Sequence, residues 1–353
     1  MLNTPFAALL LTAAALPAIP APAPSEIVAA APASDWSAIA ASDMLVMDIA
    51  ADAKGKPRRV VIQMMPPPFS QGWIGNIRKL ATAHWWDGLS INRVQDNYVV
   101  QWGDASEKKA LPAGLVTVGE SEYVFNANAL SVNPFPDPDK LSEAERAVMA
   151  IADGVENMAE PVSQLSHSEF YAAYSGFEKG WPIASDWTVA WPVHCYGMVG
   201  VGRNLSPDTG SGAELYTVIG HAPRHLDRNI ALVGRVIEGI EHLSSLPRGT
   251  GALGFYETEE EQLNQITVIV DESNPFGEIS QEDADFTALR VPILSLRMGT
   301  EITDQPKFEY LSTESTSFAK YADARANRRD PFFIRPAGGV DICNIPVPVR
   351  RVR

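Results

Sequence analysis

The period of apolar and polar residues changes along the chain, and each change predicts a different element. Two runs, Met44–Ala50 and Arg58–Met65, are rich in β-branched and other apolar residues and are separated by "ADAKGKP". Gly55 and Pro57 in the separator are typical of turns, so the two runs predict a β-hairpin. The next segment has a helical period, with large side chains three to four residues apart at Trp73, Ile77, Leu80 and His84. This stripe predicts a helix that packs one face on the sheet.

A second pair of short strands follows in "SINRVQDNYVVQWGD". Its apolar stretches Ile91–Val94 and Tyr98–Trp102 flank the turn "QDN". The side-chain period of two puts Arg93 on the opposite face from Asn92. An arginine on a strand reaches either solvent or a site, and most are solvated. The pattern makes Arg93 a candidate and leaves its role open.

A long stretch between Asp104 and His194 interrupts this pattern. It contains the strand-like "EYVFN" (Glu122–Asn126), a capped helical pattern from Ser142, and the aromatic-rich segment Glu169–Pro192. Because aromatic side chains carry a large apolar area, we expect this segment to form core rather than a contact surface.

The last strand of the sheet can be placed at either of two apolar runs, "QITVIVDE" or "VPILSLRM". We favour the second, because Leu294, Leu296 and Met298 alternate there with polar or outward positions. This choice makes residues 257–290 a further insertion.

Composition limits the function classes. The chain has 353 residues, 46% of them hydrophobic, which is enough for one large domain with extensions. Its formal net charge of -15 argues against nucleic-acid binding, which needs clustered Lys and Arg to neutralise phosphates.

The N-terminus has an apolar stretch from Phe6 to Leu16 followed by small residues and prolines. This pattern predicts a secretory signal peptide and a flexible Ala/Pro-rich leader over residues 1–33, with a flexible tether continuing to about Ser42. A disordered leader without export is the alternative. The prediction is an exported, periplasmic protein with no stable membrane insertion after processing, because no later apolar run is long enough to span a bilayer.

Two further patterns suggest chemistry and are set aside. His221 and His225 are four residues apart in "HAPRH", but Pro223 makes this a loop, and no Cys or acidic pair completes a metal-ligand set. Ser211 in "TGSGA" lacks the strand-to-helix context of a hydrolase serine. The sequence predicts no metal and no cofactor.

Seven motifs occur in a characteristic order. They are "WDG" (Trp86–Gly88), "INRV" (Ile91–Val94), "YVVQWGD" (Tyr98–Asp104), "MVGVG" (Met198–Gly202), "AELYTV" (Ala213–Val218), "LDRNIALVGRV" (Leu226–Val236) and "IEGIEHLSSL" (Ile237–Leu246). Together they resemble the cyclophilin family of peptidyl-prolyl isomerases. The resemblance implies a mainly β fold, an eight-stranded antiparallel barrel capped by two helices, here with a long, partly helical insertion.

The resemblance also implies a site. Arg93 matches the catalytic arginine and Gln101 the glutamine that steadies it. Five apolar or aromatic residues match the proline pocket, namely Tyr98, Val99, Leu215, Tyr216 and Leu226. Glu214 and His225 take substrate-binding positions where the family has glutamine and tryptophan. Further departures are Asn92 for histidine, Trp102 for glycine, Gly200 for asparagine and Ile230 for histidine.

The implied function is rotation of X-Pro bonds in exported proteins, with proline-containing segments of client proteins as partners. A non-catalytic module that binds such segments as a chaperone is the alternative. The implied organisation is an isomerase domain over residues 42–300, with insertions at about 105–193 and 257–290, and a C-terminal extension over residues 301–353.

The two cysteines, Cys195 and Cys343, leave two possibilities open. An oxidising compartment would permit a disulfide that ties the C-terminal extension to the barrel. Alternatively, both are buried thiols, since cysteine is among the most buried residue types.

Overall fold

The computed structural model describes residues 21–52, 54–104, 106, 108–127, 171–186, 188–257, 291–304 and 306–352. The strands are β1 (Trp36–Ile39), β2 (Met44–Ile49), β3 (Arg58–Met64), β4 (Ser90–Val94), β5 (Val99–Gly103), β6 (Phe125–Asn126), β7 (Tyr174–Glu178), β8 (Trp181–Ser185), β9 (Val189–Pro192), β10 (Met198–Val201), β11 (Leu215–Val218), β12 (Leu232–Glu238), β13 (Val291–Met298), β14 (Phe308–Leu311) and β15 (Val349–Arg351). The α-helices are α1 (Pro24–Ala30), α2 (Gln71–Thr82), α3 (Ile240–Ser244) and α4 (Thr316–Ala326).

Eight strands close a barrel in the order β10-β11-β5-β4-β13-β2-β3-β12, and neighbouring strands are antiparallel. The predicted eight-stranded antiparallel barrel is therefore confirmed. The predicted hairpin is the β2–β3 pair, in which Met44 lies opposite Gln63 and Ile49 opposite Arg58. Gly55 in its turn has a φ of +73°, a conformation that favours glycine.

Helix α2 packs against strand β13 of the barrel. Trp73, Ile77 and Leu80 are fully buried in the main core, as their helical spacing predicts. The inclusion of His84 in this stripe is wrong, because the helix ends at Thr82 and His84 adopts a φ of +53°. That reversal points the imidazole to the surface, where its Nε2 lies 3.4 Å from the Glu301 carboxylate.

Strand β13 lies at the second of the two candidate runs, so the favoured choice is confirmed. The predicted alternation is wrong at Leu294, whose side chain is exposed, while Ile293 and Leu296 are fully buried. A register shift between Ile293 and Ser295, opposite β2, explains the change, since an extra residue at that point moves the inward positions.

The described part of the first insertion forms a four-stranded antiparallel sheet of order β6-β9-β8-β7. The predicted strand at Glu122–Asn126 is correct only for its end, because Glu120–Tyr123 is a 3₁₀ turn and Phe125–Asn126 is strand. Trp181 and Trp191 are almost completely buried, so the expectation of core is confirmed for them. The helix predicted from Ser142 lies outside the described residues, as does the second insertion from residue 258 onward.

The N-terminal segment is part of a third sheet, of order β1-β14-β15. Trp36 lies opposite Leu311, and Ile39 opposite Phe308. The prediction of a flexible tether is therefore wrong for residues 24–42, because strand pairing and burial of Trp36 and Ile39 hold this segment. Helix α1 packs on α4 in the same unit, so the N-terminal segment and the C-terminal extension form one layer.

A disulfide joins Cys195 to Cys343, with a Cα–Cα distance of 5.0 Å. It connects the loop between β9 and β10 to the chain between α4 and β15. Of the two possibilities left open by the sequence, the disulfide is confirmed. No helix in the described part of the chain has the length and apolar character needed to cross a membrane.

Candidate active site

Arg93 and Gln101 are cross-strand neighbours on the outer wall of the barrel. They lie opposite each other in the β4–β5 pair, where the register shifts between Ile91 and Arg93. Arg93 Nη1 donates to Gln101 Oε1 at 3.1 Å. The eight-residue spacing across a short turn is the sequence feature that predicts this contact.

Other contacts fix the Arg93 guanidinium in place. Its Nε donates to the carbonyl oxygen of Leu253 at 2.7 Å, and its Nη2 donates to Gln95 Oε1. The guanidinium carbon lies 5.8 Å from the centre of the Tyr98 ring and 5.6 Å from that of Phe255. Three of the five N–H groups of the Arg93 guanidinium have acceptors among the described residues, so two remain for a substrate.

The Leu253 carbonyl reaches Arg93 through a tight turn. Leu253 has a φ of +56° and Gly254 a φ of +83°. A Cβ on residue 254 would lie 2.7 Å from the Gln95 Cα, so only glycine allows this approach. The sequence does not reveal this partner, because 160 residues separate it from Arg93.

Burial lowers the pKa of Arg93 below its ordinary value. Arginine titrates so far above neutrality that the guanidinium stays charged at physiological pH. The site therefore holds a fixed, planar cationic donor.

An apolar cluster lies beside Arg93. Val99, Tyr216 and Val218 are buried in it, and Tyr98, Leu226 and Ile230 pack against them. Four of the five predicted pocket residues are thus brought together.

The fifth, Leu215, is not in this cluster. It is fully buried in the barrel core and lies opposite Trp102 on β5. Because side chains alternate along a strand, Leu215 points inward while Tyr216 points to the site. The pocket role expected for Leu215 does not fit this geometry.

Tyr216 begins a buried hydrogen-bonded chain that the sequence did not predict. Its hydroxyl lies 2.9 Å from His194 Nε2, and His194 Nδ1 lies 2.9 Å from Asp227 Oδ1. Arg224 Nε donates to Asp227 Oδ2 at 2.7 Å. These partners favour a tautomer in which Nδ1 donates to the carboxylate and Nε2 accepts from the hydroxyl.

Burial and neighbouring groups shift the pKa values of Asp227 and Tyr216 in this hydrogen-bonded network. Burial opposes ionisation of Asp227, but the hydrogen bonds from His194 and Arg224 and the charge of Arg224 outweigh it and hold the pKa of Asp227 below its usual value. Burial raises the pKa of Tyr216 well above its ordinary value, so the phenol stays protonated. Gly200 leaves room for this arrangement, because a Cβ there would lie 2.2 Å from the Tyr216 hydroxyl oxygen.

A groove of about 800 Å³ runs along the other side of the site and is lined by Arg93, Gln101, Gly202, Glu214 and Phe255, among others. The Glu214 carboxylate lies beside the side chains of Gln101 and Asn92 and the backbone of Asp104, and these polar groups act to lower its pKa. Burial raises the pKa of Glu214 to about 7. The predicted residue Glu214 therefore lies at the site, in contact with Gln101.

His225 stacks on the apolar cluster. Its ring centre is 5.9 Å from that of Tyr98, with an interplanar angle of 18°. It lies in the 3₁₀ turn Arg224–Leu226. Within the described ranges no three His, Cys, Asp or Glu side chains are close enough to hold a metal ion.

The site is thus a fixed arginine beside an apolar cluster on the outer wall of a closed eight-stranded antiparallel barrel. The family model described as "Cyclophilin type peptidyl-prolyl cis-trans isomerase/CLD" matches residues 73–270. The chain belongs to this family.

Two solved structures are similar to this chain, and the first of them supports the fold. A crystal structure of cyclophilin AquaCyp293 from Hirschia baltica has a TM-score of 0.55 and 18% identity, covering 90% of this chain and 93% of that chain. A cyclophilin type peptidyl-prolyl cis-trans isomerase from Cryptosporidium parvum, crystallised in the presence of the dipeptide ala-pro, has a TM-score of 0.29 and 10% identity, covering 58% of this chain and 88% of that chain. The comparison with curated protein sequences found no match.

Proposed function

We propose that the protein is a peptidyl-prolyl cis-trans isomerase in which Arg93 donates to the prolyl nitrogen of the substrate. The observation that carries the proposal is the Arg93 guanidinium, held by Gln101 and the Leu253 carbonyl beside the apolar cluster of Val99 and Tyr216. A proline ring packed against such a cluster would lie within reach of a charged donor.

The reaction needs little machinery. Rotation about an X-Pro bond breaks no covalent bond and loses only amide resonance, with a barrier of about 18 to 20 kcal/mol. The prolyl nitrogen lone pair becomes free as the bond twists, and a donor aimed at this lone pair stabilises the twisted state.

The energies are of the required size. Uncatalysed isomerisation takes about tens to hundreds of seconds, and a rate increase of about four decades requires roughly 5.5 kcal/mol. A charged hydrogen bond supplies about 1.5 to 3 kcal/mol of that. The remainder comes from binding the twisted form in a site that needs no rearrangement, which the three fixed Arg93 contacts support.

A non-catalytic module for proline-containing segments is the second candidate. One observation favours it, because Val99 and Tyr216 are each less than 5% exposed, so the cluster offers a proline ring little open surface. Such a module would bind peptides through the groove and Tyr98 without accelerating rotation.

The proposed setting is an oxidising compartment outside the cytoplasm. The Cys195–Cys343 disulfide supports this setting, since structural disulfides persist in oxidising environments. We propose exported proteins as clients, and residues 42–300 as the isomerase domain with the C-terminal extension docked on it. The N-terminal strand β1 belongs with that extension.

A protease-coupled isomerisation assay on the purified protein, with a series of X-Pro peptides, separates the two candidates. Isomerase activity predicts catalysed cis-to-trans conversion at catalytic protein concentrations. Binding of the same peptides without acceleration would replace the proposed function with the binding module.

A further inference from the structure

Glu214 lies directly behind the pair formed by Gln101 and Arg93. A Cβ added to Gly103 would lie 2.0 Å from a Glu214 carboxylate oxygen, so the carboxylate rests against the backbone of β5. A Cβ added to Gly202 would lie 2.9 Å from the Glu214 Cβ and 3.6 Å from Gln101 Nε2. The amide nitrogen of Gln101 therefore lies on the Glu214 side of the site, and its oxygen on the Arg93 side.

The two neighbours of Gln101 dictate this orientation. An ionised carboxylate only accepts hydrogen bonds, and a guanidinium only donates them. The amide between them must present its NH₂ group to Glu214 and its oxygen to Arg93. With the opposite orientation, both contacts would be lost.

Protonation of Glu214 removes the half of this constraint that the carboxylate imposes, while Arg93 still requires an acceptor. A neutral carboxylic acid carries an O–H that can donate to the Gln101 amide oxygen, which allows the amide to turn over. In the turned orientation the NH₂ group faces the Arg93 guanidinium, donor against donor, so the fraction of molecules in which Gln101 steadies Arg93 falls.

We infer that Glu214 is a positioning residue, which sets the Gln101 amide and through it the Arg93 donor, so that isomerisation slows as Glu214 takes up a proton. This inference rests on the proposed isomerase function.

Several other charged or titratable side chains line the groove around Glu214, and one of them, Asp104, influences its pKa. The charged or titratable residues that line it are Arg93, Asp104, Lys109, Arg203, Asp208, Glu214, Tyr256 and Glu257. Burial raises the pKa of Glu214 to about 7 and the negative charge of Asp104 adds to this rise, while the Gln101 side chain, the Asp104 backbone and the Asn92 side chain oppose it.

The groups nearest to Glu214 do not titrate in the same range. Burial opposes ionisation of Asp104, but hydrogen bonds from Ser106, Lys108 and Lys109 outweigh it and lower the pKa of Asp104. Asp104 and Arg93 therefore both stay charged near neutrality.

The direction of the effect follows from these charges. Glu214 is ionised above its pKa, so activity is full on the alkaline side and is lost as the pH falls through about 7. If the protonated form is inactive, the rate falls about tenfold between pH 8 and pH 6.

The first experiment is the pH profile of the catalytic efficiency, from about pH 5.5 to 9, for the parent protein, Glu214→Gln and His225→Gln. Glutamine cannot ionise, so Glu214→Gln should lose the acid-side fall. His225→Gln should keep it, which separates the effect from the histidine beside Tyr98. An unchanged acid-side fall in Glu214→Gln, or a flat profile in the active parent, would overturn the inference.

The second experiment needs no activity. The side-chain NH₂ signals of Gln101, followed by NMR, should titrate near pH 7 in the parent and not in Glu214→Gln. Titration in a protein without isomerase activity would support the positioning role and refute the proposed function. An active protein whose Gln101 signals do not titrate would refute the positioning role alone.

Discussion

Reduction of the Cys195–Cys343 disulfide should strongly destabilise the protein. The bond closes a loop with a sequence separation of 148 residues. In the chain-entropy model such a loop lowers the entropy of the unfolded state enough to stabilise the fold by about 5 kcal/mol at 25 °C. Native contacts cannot compensate for the broken disulfide, because they are absent from the unfolded state whether the cysteines are oxidised or reduced.

The expected loss is somewhat smaller than this limit. Residual structure in the reduced unfolded chain discounts the entropic effect, so we expect a loss of about 3 to 5 kcal/mol in the free energy of unfolding. Sheet β1-β14-β15 and the Arg224–Asp341 pair, 3.7 Å apart, should keep the extension docked in the folded reduced state.

The assay is denaturant unfolding, followed by tryptophan fluorescence, with and without reductant. The double variant Cys195→Ser, Cys343→Ser is the matched control, and it should unfold like the reduced parent and ignore reductant. Identical midpoints for the oxidised and reduced parent would refute the reasoning, as would full sensitivity of the double variant to reductant.

Two further predictions concern the apolar cluster. Tyr216→Phe should lower the free energy of unfolding by about 1 to 3 kcal/mol, because it leaves the buried His194 Nε2 without its hydrogen-bond partner, and an unchanged thermal midpoint would contradict the proposed chain. Cyclosporin should inhibit weakly, since the resemblance places His225 where the family uses tryptophan to bind it. Potent inhibition in a titration of isomerase activity would show that the His225 assignment is wrong.

Local patterns predicted the parts of the fold that depend on neighbours in sequence. The β2–β3 hairpin, the buried face of α2 and the β4–β5 pair follow from residues a few positions apart. The contact of Arg93 with Gln101 belongs to the same group, because a short turn and a period of two fix it.

Contacts between distant segments were not predictable in this way. The Leu253 carbonyl reaches Arg93 from 160 residues away. His194 joins Tyr216 to Asp227 only because three separate segments meet there. Periodicity along the sequence does not reveal such contacts between distant residues, although the family motifs had assigned Tyr216 to the pocket.

Two other predictions differ from the structure, one because strand register was unknown and one because composition suggested a tether. Leu215 and Tyr216 are adjacent apolar residues, and only the pairing of β11 with β5 decides which of them faces the site. The N-terminal segment reads as an Ala/Pro-rich tether, yet burial of Trp36 against the C-terminal extension makes it a strand.

Removal of the guanidinium in Arg93→Ala is the most direct test of its proposed role as donor to the prolyl nitrogen. That hydrogen bond forms mainly in the twisted state, where the nitrogen lone pair is free, so its loss should harm turnover more than binding. Arg93→Lys should also fail, since a point charge cannot reproduce the planar donor held by Gln101, and Gln101→Ala should be milder.

The measurement is the rate of isomerisation of a proline peptide by Arg93→Ala, beside its affinity for the same peptide, both followed by NMR exchange. We expect a folded protein whose catalysed rate is lower by roughly two decades, from the loss of about 3 kcal/mol, with an affinity close to that of the parent. A folded Arg93→Ala protein that isomerises the peptide as fast as the parent would contradict the catalytic role of Arg93.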